Sequence, residues 1–571
     1  MCSLPDSEKG GDYSKKPRQN NPLVTPELKA YRRRHIGAGF VIFCTTSGRG
    51  GHYNAGATML PTQMSETEET IQNQSLKDDE LALIDLKAIL EWLATPAARH
   101  PEDELAPLHA HLTALRETAT AAHQRHKVLD LLYTRAHGTV QRLIPDLTGV
   151  SLPLSRKTRQ TVRGMQDVLL MVAEDYLNTF GDLDAHLIKG LRRPPELTLW
   201  RALDALSSHL LISDYSASPA APGVWLLMHR AYRMANEAGV TEQPARGAGS
   251  SPREVYQRAL LLASAQPASF TSREIDVVVD YILRFGSRIN LIAATEGMTD
   301  AGIFHIDPER DLPPVAAARR PPPAGAMCLN CERIAQLAEE QVAALDAGAA
   351  PRDIDLPDDF IAPSVQGILR RLALYWGHSG KRRFSRRRQN YRAVLCIGLQ
   401  ALWQLFHDDE TQAGELTSWM VTNESPDGYA LMHVTGKTNR VTPGDIVALR
   451  TENVADWQIC IVRWALSENP EHLEIGLQVL ATRATPAILA CTSRAMNGSG
   501  IQQPVLVLPE LPPLRPAEML VAPTGTTHAG AERMVLMIEK ENLELREVIA
   551  THLDEQTANI EVFAFEPRPL S

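Results

Sequence analysis

The densest chemistry in the sequence is the run Lys381-Arg382-Arg383-Phe384-Ser385-Arg386-Arg387-Arg388-Gln389-Asn390-Tyr391-Arg392, where seven of twelve residues are basic. An arginine presents a planar fork that bonds a phosphate or a base edge at two points, which lysine, a point charge, cannot reproduce. The run is therefore suited to an anion with a flat or forked acceptor. A spacing of four puts Arg388 and Arg392 on one side of a helical turn, or lets a flexible arm close on a ligand from two directions. About 30 residues later comes Asn423-Glu424-Ser425-Pro426-Asp427-Gly428. Asn423 and Ser425 offer short polar side chains that bond a base or phosphate, and Gly428 removes the Cβ where the chain bends or approaches a ligand.

Other reactive residues carry less. Cys328-Leu329-Asn330-Cys331 has zinc or redox spacing, but a structural zinc site needs two further ligands, and His305 is the only nearby histidine. These read as ordinary buried or free thiols. His109, His111, His123 and His126 lack carboxylates at matching spacing and read as a solvated helix face. No metal is expected. The sequence holds no phosphate-binding glycine loop of the nucleotidase type, no dinucleotide fingerprint, no nucleophile elbow and no paired-histidine zinc motif. No catalytic residue is assigned, and the protein reads as a non-enzyme.

The elements that must position the arginines follow from composition and periodicity. At 571 residues, with net charge −10, 44% hydrophobic and 22% charged residues, the chain has the make-up of a soluble multidomain protein. The acidic total argues against nucleic acid as the partner of the whole surface. No apolar run approaches the ~20 residues of a membrane span. Seven scattered cysteines are too few and too odd for a disulfide framework and fit a reducing cytoplasm. Residues 1–75 are polar, Gly-rich in places and aperiodic, and read as disordered or as a gene-model extension with Met59 or Met64 as the start.

From about Asp78 helical spacing sets in, with Leu83, Leu86, Leu90 and Leu93, then Val162, Met165, Leu169, Val172 and Tyr176. Pro194-Pro195 open a helix through Leu210, and Gly239 can end another that starts at Trp225. This gives an α-helical domain over 76–240. A second helical segment, 241–379, contains capping boxes at Ser251–Glu254 and Thr271–Glu274, a Pro/Ala/Arg loop from Leu312 to Ala326, and helices over Ile334–Leu345 and Val365–Tyr375. From Arg392 the period falls to two, as in Gln458–Trp464 and Leu473–Val479 with a turn at Pro443-Gly444-Asp445, which predicts a small antiparallel β-barrel over 380–482. The tail, 483–571, reads as a further β unit with strands at Val505–Leu508, Met519–Val521, Met534–Ile538 and Ile560–Phe565. The fold class is α+β and multidomain.

The arginine pair, the Asn-x-Ser-x-x-Gly element and the strands behind them together resemble a PilZ domain, over about 100 residues from Arg386 to Ala481. That family carries R-x-x-x-R before a six-stranded barrel, matched by Arg388 and Arg392, and D/N-x-S-x-x-G on an early strand and turn, matched by Asn423, Ser425 and Gly428; Arg387 is the extra arginine many members place first. The resemblance implies cyclic di-GMP as ligand, with Arg387, Arg388, Arg392, Asn423, Ser425 and Gly428 as its site. Arginine forks suit its guanine O6/N7 edges and phosphates. On this expectation the chain is a cytoplasmic bacterial effector that couples second-messenger binding to a protein partner through its helical part. The rival reading is a helical scaffold or chaperone-like adaptor with a non-binding barrel. Nucleic-acid binding by the basic run ranks third.

Overall fold

The computed structural model describes residues 86–118, 120–185, 195–361, 363–378, 384–407, 416–433, 440–452, 454, 456–469, 472–492, 501–510, 517–527, 533–539 and 542–567. The expectations for residues 1–75 and for Lys381 to Arg383 lie outside them. All described residues belong to one compact unit, Ile71–Ser571.

The N-terminal part is helical: α1 (86–93), α2 (Pro101–Glu117), α3 (Ala122–Leu147), α4 (Arg156–Ala185), α5 (Pro195–Tyr215), α6 (Val224–Glu237), α7 (Pro252–Ser264) and α8 (Ser272–Phe285). Local chemistry sets the ends. Gly239 closes α6 in the left-handed region at φ +67, with the amide of Val240 donating to the Ala235 carbonyl. Both capping boxes form: the Ser251 and Thr271 hydroxyls accept from the Glu254 and Glu274 amides, and each glutamate accepts from the cap amide at 2.7 and 2.8 Å. Glu274 also forms a buried ion pair with Arg371, whose guanidinium lies 4.4 Å over the Phe270 ring and donates to the Ser269 carbonyl.

Between α8 and α9 the structure departs from the all-helical expectation. The chain forms a four-stranded sheet, β1 (Asn290–Ala293), β2 (Ile303–His305), β3 (Val315–Ala316) and β4 (Met327–Asn330), in the order β1-β4-β2-β3. Strands of two to four residues are too short to show a period, and β3 lies inside the Pro-rich stretch read as a loop. α9 (Glu332–Asp346) and α10 (Pro363–Gly377) complete this part. One buried cluster, from Ile89 to Trp376, joins both helical segments across residue 240. His126 is a correction: it is buried against Tyr176 at a ring distance of 5.5 Å instead of lying on a solvated face, because α3 is enclosed by α4 and α5. His111, too, packs on Trp92, at 4.7 Å.

Two closed six-stranded antiparallel barrels follow. The first holds β5 (Arg387–Ile397), β6 (Thr417–Ser425), β7 (Gly428–His433), β8 (Ile446–Thr451), β9 (Gln458–Asn469) and β10 (His472–Ala481), in the order β10-β7-β6-β5-β8-β9. A helix unforeseen in the sequence, α11 (Leu399–His407), sits between β5 and β6. The second holds β11 (Thr485–Thr492), β12 (Ile501–Leu508), β13 (Met519–Pro523), β14 (Arg533–Glu539), β15 (Leu543–Gln556) and β16 (Ile560–Pro567), in the order β11-β12-β13-β16-β15-β14. The tail is thus a complete barrel, with β11 and β15 added to the four expected strands.

The apolar run Ile446-Val447-Ala448-Leu449 explains how the barrels join. Val447 and Leu449 fill the first barrel, while Ile446 and Ala448 face outward into a seam with Ile459, Ile461, Leu402 and Leu405. Leu506, Leu508, Met519, Val521, Ile560 and Val562 of the second barrel close that seam. A strand covered on both faces reads as continuous apolar sequence. The helical part is fastened as firmly: Leu152 and Leu154, from the α3–α4 loop, are buried in the first barrel's core, and Leu152 bridges Val441.

Candidate functional site on the first barrel

Arg387, Arg388 and Arg392 lie on strand β5, extended, instead of on a helical turn or a free arm. The strand face follows from its neighbours. Ala393 and Leu395 point into the barrel, so Arg392, opposite Met420 of β6, points out. All three arginines are exposed, and among the described residues none of their guanidinium groups has an ion pair or hydrogen bond.

Three bulges compose the outer face that Arg388 and Arg392 share, while Arg387, opposite Glu424, lies on the other side of the strand at the barrel mouth. Between Arg388 and Tyr391 the β5–β6 register shifts, so that Gln389 and Asn390 stand against the single Thr422. Thr422 is in turn the extra residue against β7, its hydroxyl donating to the Ala430 carbonyl at 3.2 Å. Trp419 and Val421 face inward, and strict alternation would put Asn423 inside with them; the bulge turns it out, directly opposite Arg388. A third shift falls between Gly476 and Leu477, against Arg463 of β9. Cys460 and Val462 face inward, yet Trp464 is turned outward and Ala465 resumes the inward face. Bulges re-aim side chains in this way and cluster at functional surfaces.

One in-register row results across the outer face: Arg388 opposite Asn423, Asn423 opposite Ala430, Ala430 opposite Gly476, and Gly476 opposite Trp464. The Trp464 indole lies across Gly476 so closely that a Cβ there would stand 1.9 Å from its Nε1. The flat aromatic surface therefore depends on the glycine. Sequence reasoning used Trp464 and Gly476 as strand markers and missed them as site residues, because period two assigns Trp464 to the interior.

The other motif residues have structural tasks. The Ser425 hydroxyl is 2.7 Å from the Asp427 carboxylate and 3.1 Å from the Gly428 carbonyl, which closes the β6–β7 hairpin. Gly428 is buried, and a Cβ there would come within 2.1 Å of the Leu477 carbonyl oxygen, so the glycine permits β7 to pass β10. Asn423 has no side-chain hydrogen bond among the described residues. Glu424 is the acid opposite Arg387, but its carboxylate accepts from Gln389 Nε2 at 3.1 Å and Tyr391 Oη at 3.0 Å. Burial and this carboxylate raise the Tyr391 phenol well above its usual range. The acid is thereby engaged at the barrel mouth, and among the described residues no carboxylate pairs with the arginines.

The two buried thiols Cys328 and Cys331 lie in the helical part, and burial pushes Cys331 above the ordinary thiol range. His305 stands opposite Cys328 in the sheet register. No group of three or more metal-ligating side chains occurs among the described residues, and no described helix is long and apolar enough to cross a membrane.

Comparison with known proteins bears on both halves. Residues 87–295 match the family described as cyclic-di-GMP receptor FimW, N-terminal domain. Residues 404–486 match the family described as cyclic-di-GMP receptor FimW, middle PilZ domain, a match that begins beyond the arginines of β5. The cyclic-di-GMP receptor FimW of Pseudomonas aeruginosa is 20% identical over 521 residues, covering 76% of this chain and 83% of that protein. No solved structure matches. The first barrel is thus a PilZ domain, and the helical part is similar to the FimW N-terminal domain.

Proposed function

We propose that this protein is a non-enzymatic, cytoplasmic receptor for cyclic di-GMP that reports ligand binding to a protein partner through its helical part. The ligand lies on the outer face of β5, β6 and β9. Arg388 and Arg392 supply forked bonds to guanine edges and phosphates, Arg387 reaches the ligand from the barrel mouth, Asn423 bonds a base, and Trp464 offers a stacking surface. Ser425 and Gly428 shape the hairpin that presents Asn423. The observation that carries this reading is the in-register row from Arg388 to Trp464 beside three exposed arginines without an acidic partner among the described residues.

Coupling to the helical part has a short route. The β9–β10 hairpin that carries Trp464 and Gly476 also meets the helices: the Ser467 amide donates to the Ala217 carbonyl at 2.7 Å, and Arg163 donates to the Glu468 carbonyl at 3.1 Å. A ligand shifts the equilibrium only through contacts that differ between the two states, and a β9 rearrangement under a stacked base changes these. On this reading residues 380–482 are the sensor, 76–240 and 241–379 the output region, and 483–571 a supporting barrel.

A second reading, a structural barrel that binds nothing, draws support from Ser425 and Gly428, whose roles the fold already explains. Calorimetry on the full chain separates the two. The receptor reading expects saturable heat and a raised melting temperature with cyclic di-GMP at about 100 µM and neither with GMP; no heat and no shift with cyclic di-GMP would overturn it.

A further inference from the structure

Beyond the barrel, the helical part contains a groove of about 590 Å³ between α5 and α7, closed at its sides by Trp225, Leu283 and Pro313. Its long wall is one face of α5, where Trp200, Asp204, Leu211 and Asp214 recur at helical spacing. From the first to the last of these the helix rises about 21 Å. Ala259 and Leu262 of α7 form the facing wall. The volume falls within the roughly 300–1,000 Å³ of small-molecule sites, and the walls are mainly apolar with a few polar groups, which is the make-up of such sites.

The charges decide what fits. The ionisable residues lining the groove are His137, Asp204, Asp214 and Arg258. Asp204 is already engaged, accepting from Tyr133 Oη at 2.7 Å and lying 3.3 Å from His137 Nδ1, which it raises toward the protonated form. Burial pushes the Asp214 carboxyl up to about 8, which favours its neutral form. Arg258 is different. It is half-buried and has no hydrogen bond or ion pair among the described residues. A cation held at an apolar wall without a partner favours an anion that brings its own apolar body.

We infer that this groove is a second ligand site, for an anionic amphiphile with a single medium-length apolar chain, whose head group pairs with Arg258 while its chain lies along α5. The site is separate from the PilZ face, so it stands or falls independently of cyclic di-GMP binding.

The test uses the full chain, with decanoate and decanol below their aggregation limits as probes. Calorimetry should show saturable binding of decanoate, with a raised melting temperature, and decanol at least tenfold weaker. Arg258→Ala should weaken decanoate at least tenfold while leaving decanol unchanged, Arg258→Lys should recover part of the loss, and Ala259→Trp should abolish both by filling the groove. Cyclic di-GMP should not compete. Unperturbed melting of Arg258→Ala without ligand shows that the variant is folded. The inference is overturned if decanoate fails to bind the wild type, binds no better than decanol, or binds Arg258→Ala with unchanged affinity.

Discussion

The two barrels share strand number, closure and antiparallel pairing, and they differ in what their outer faces hold. On the first, bulges turn Asn423 and Trp464 out beside Arg388, and the acid opposite the arginines is engaged elsewhere. On the second, β15 exposes Leu543, Leu545 and Ile549, while Arg546 is paired with Glu544 and Glu518. The same scaffold therefore presents exposed arginines beside a turned-out tryptophan in one case and exposed leucines beside a paired arginine in the other. Closure of a barrel alone sets neither face; register shifts decide which side chains it presents.

The seam between the barrels provides the largest test of this contrast. Ile461 is fully buried there, and Ile461→Ala should destabilise the chain by about 2–5 kcal/mol. Because both barrels contribute to the seam, amide hydrogen exchange should show protection lost in both barrels together; loss confined to the first barrel would show that the two are energetically separate. A smaller effect is expected at the stacking surface. Trp464→Ala should weaken cyclic di-GMP binding by about 1–3 kcal/mol, roughly five- to 150-fold, whereas Leu545→Ser on the second barrel should leave the affinity unchanged. Equal effects of the two substitutions would break the contrast.

A pH dependence sharpens it further. His433 of the first barrel is buried 5.1 Å from the Trp419 ring, and burial lowers its pKa. The folded barrel resists a proton that the unfolded chain accepts, so the stability His433 contributes is present above about pH 6.5 and is lost as pH falls below it. The described histidine of the second barrel, His552, is exposed. Melting temperatures of the wild type and His433→Phe should therefore diverge as pH falls from 7.5 to 5, with the wild type losing more; parallel curves would count against the assignment.

Much of the architecture was legible in the sequence because its signals are local. Ser251 with Glu254 and Thr271 with Glu274 announce helix starts, and Gly239 announces an end. The barrel showed through period two in β9 and β10. What stayed hidden depends on pairing between distant strands. The outward turns of Asn423 and Trp464 arise from bulges that no single strand reveals. The β1–β4 sheet is built from strands too short to show a period, and α11 interrupts a stretch otherwise read as strand. Gly428 was recognised as a motif residue, but its close approach to the Leu477 carbonyl needs β10 in place. Of the six expected site residues, Arg388 and Asn423 are brought face to face. Arg387 and Arg392 flank that pair along β5, while Ser425 and Gly428 build the hairpin.

The central claim is that the exposed arginines of β5 make the first barrel a receptor, and a titration of the full chain with cyclic di-GMP tests it most directly when the wild type is compared with Arg388→Ala/Arg392→Ala. Both side chains are exposed, so the double variant should melt as the wild type does. The wild type should bind saturably and the double variant should show no binding at about 100 µM ligand, as expected when two forked contacts worth about 1–3 kcal/mol each are removed. Wild-type affinity in the folded double variant would contradict the account.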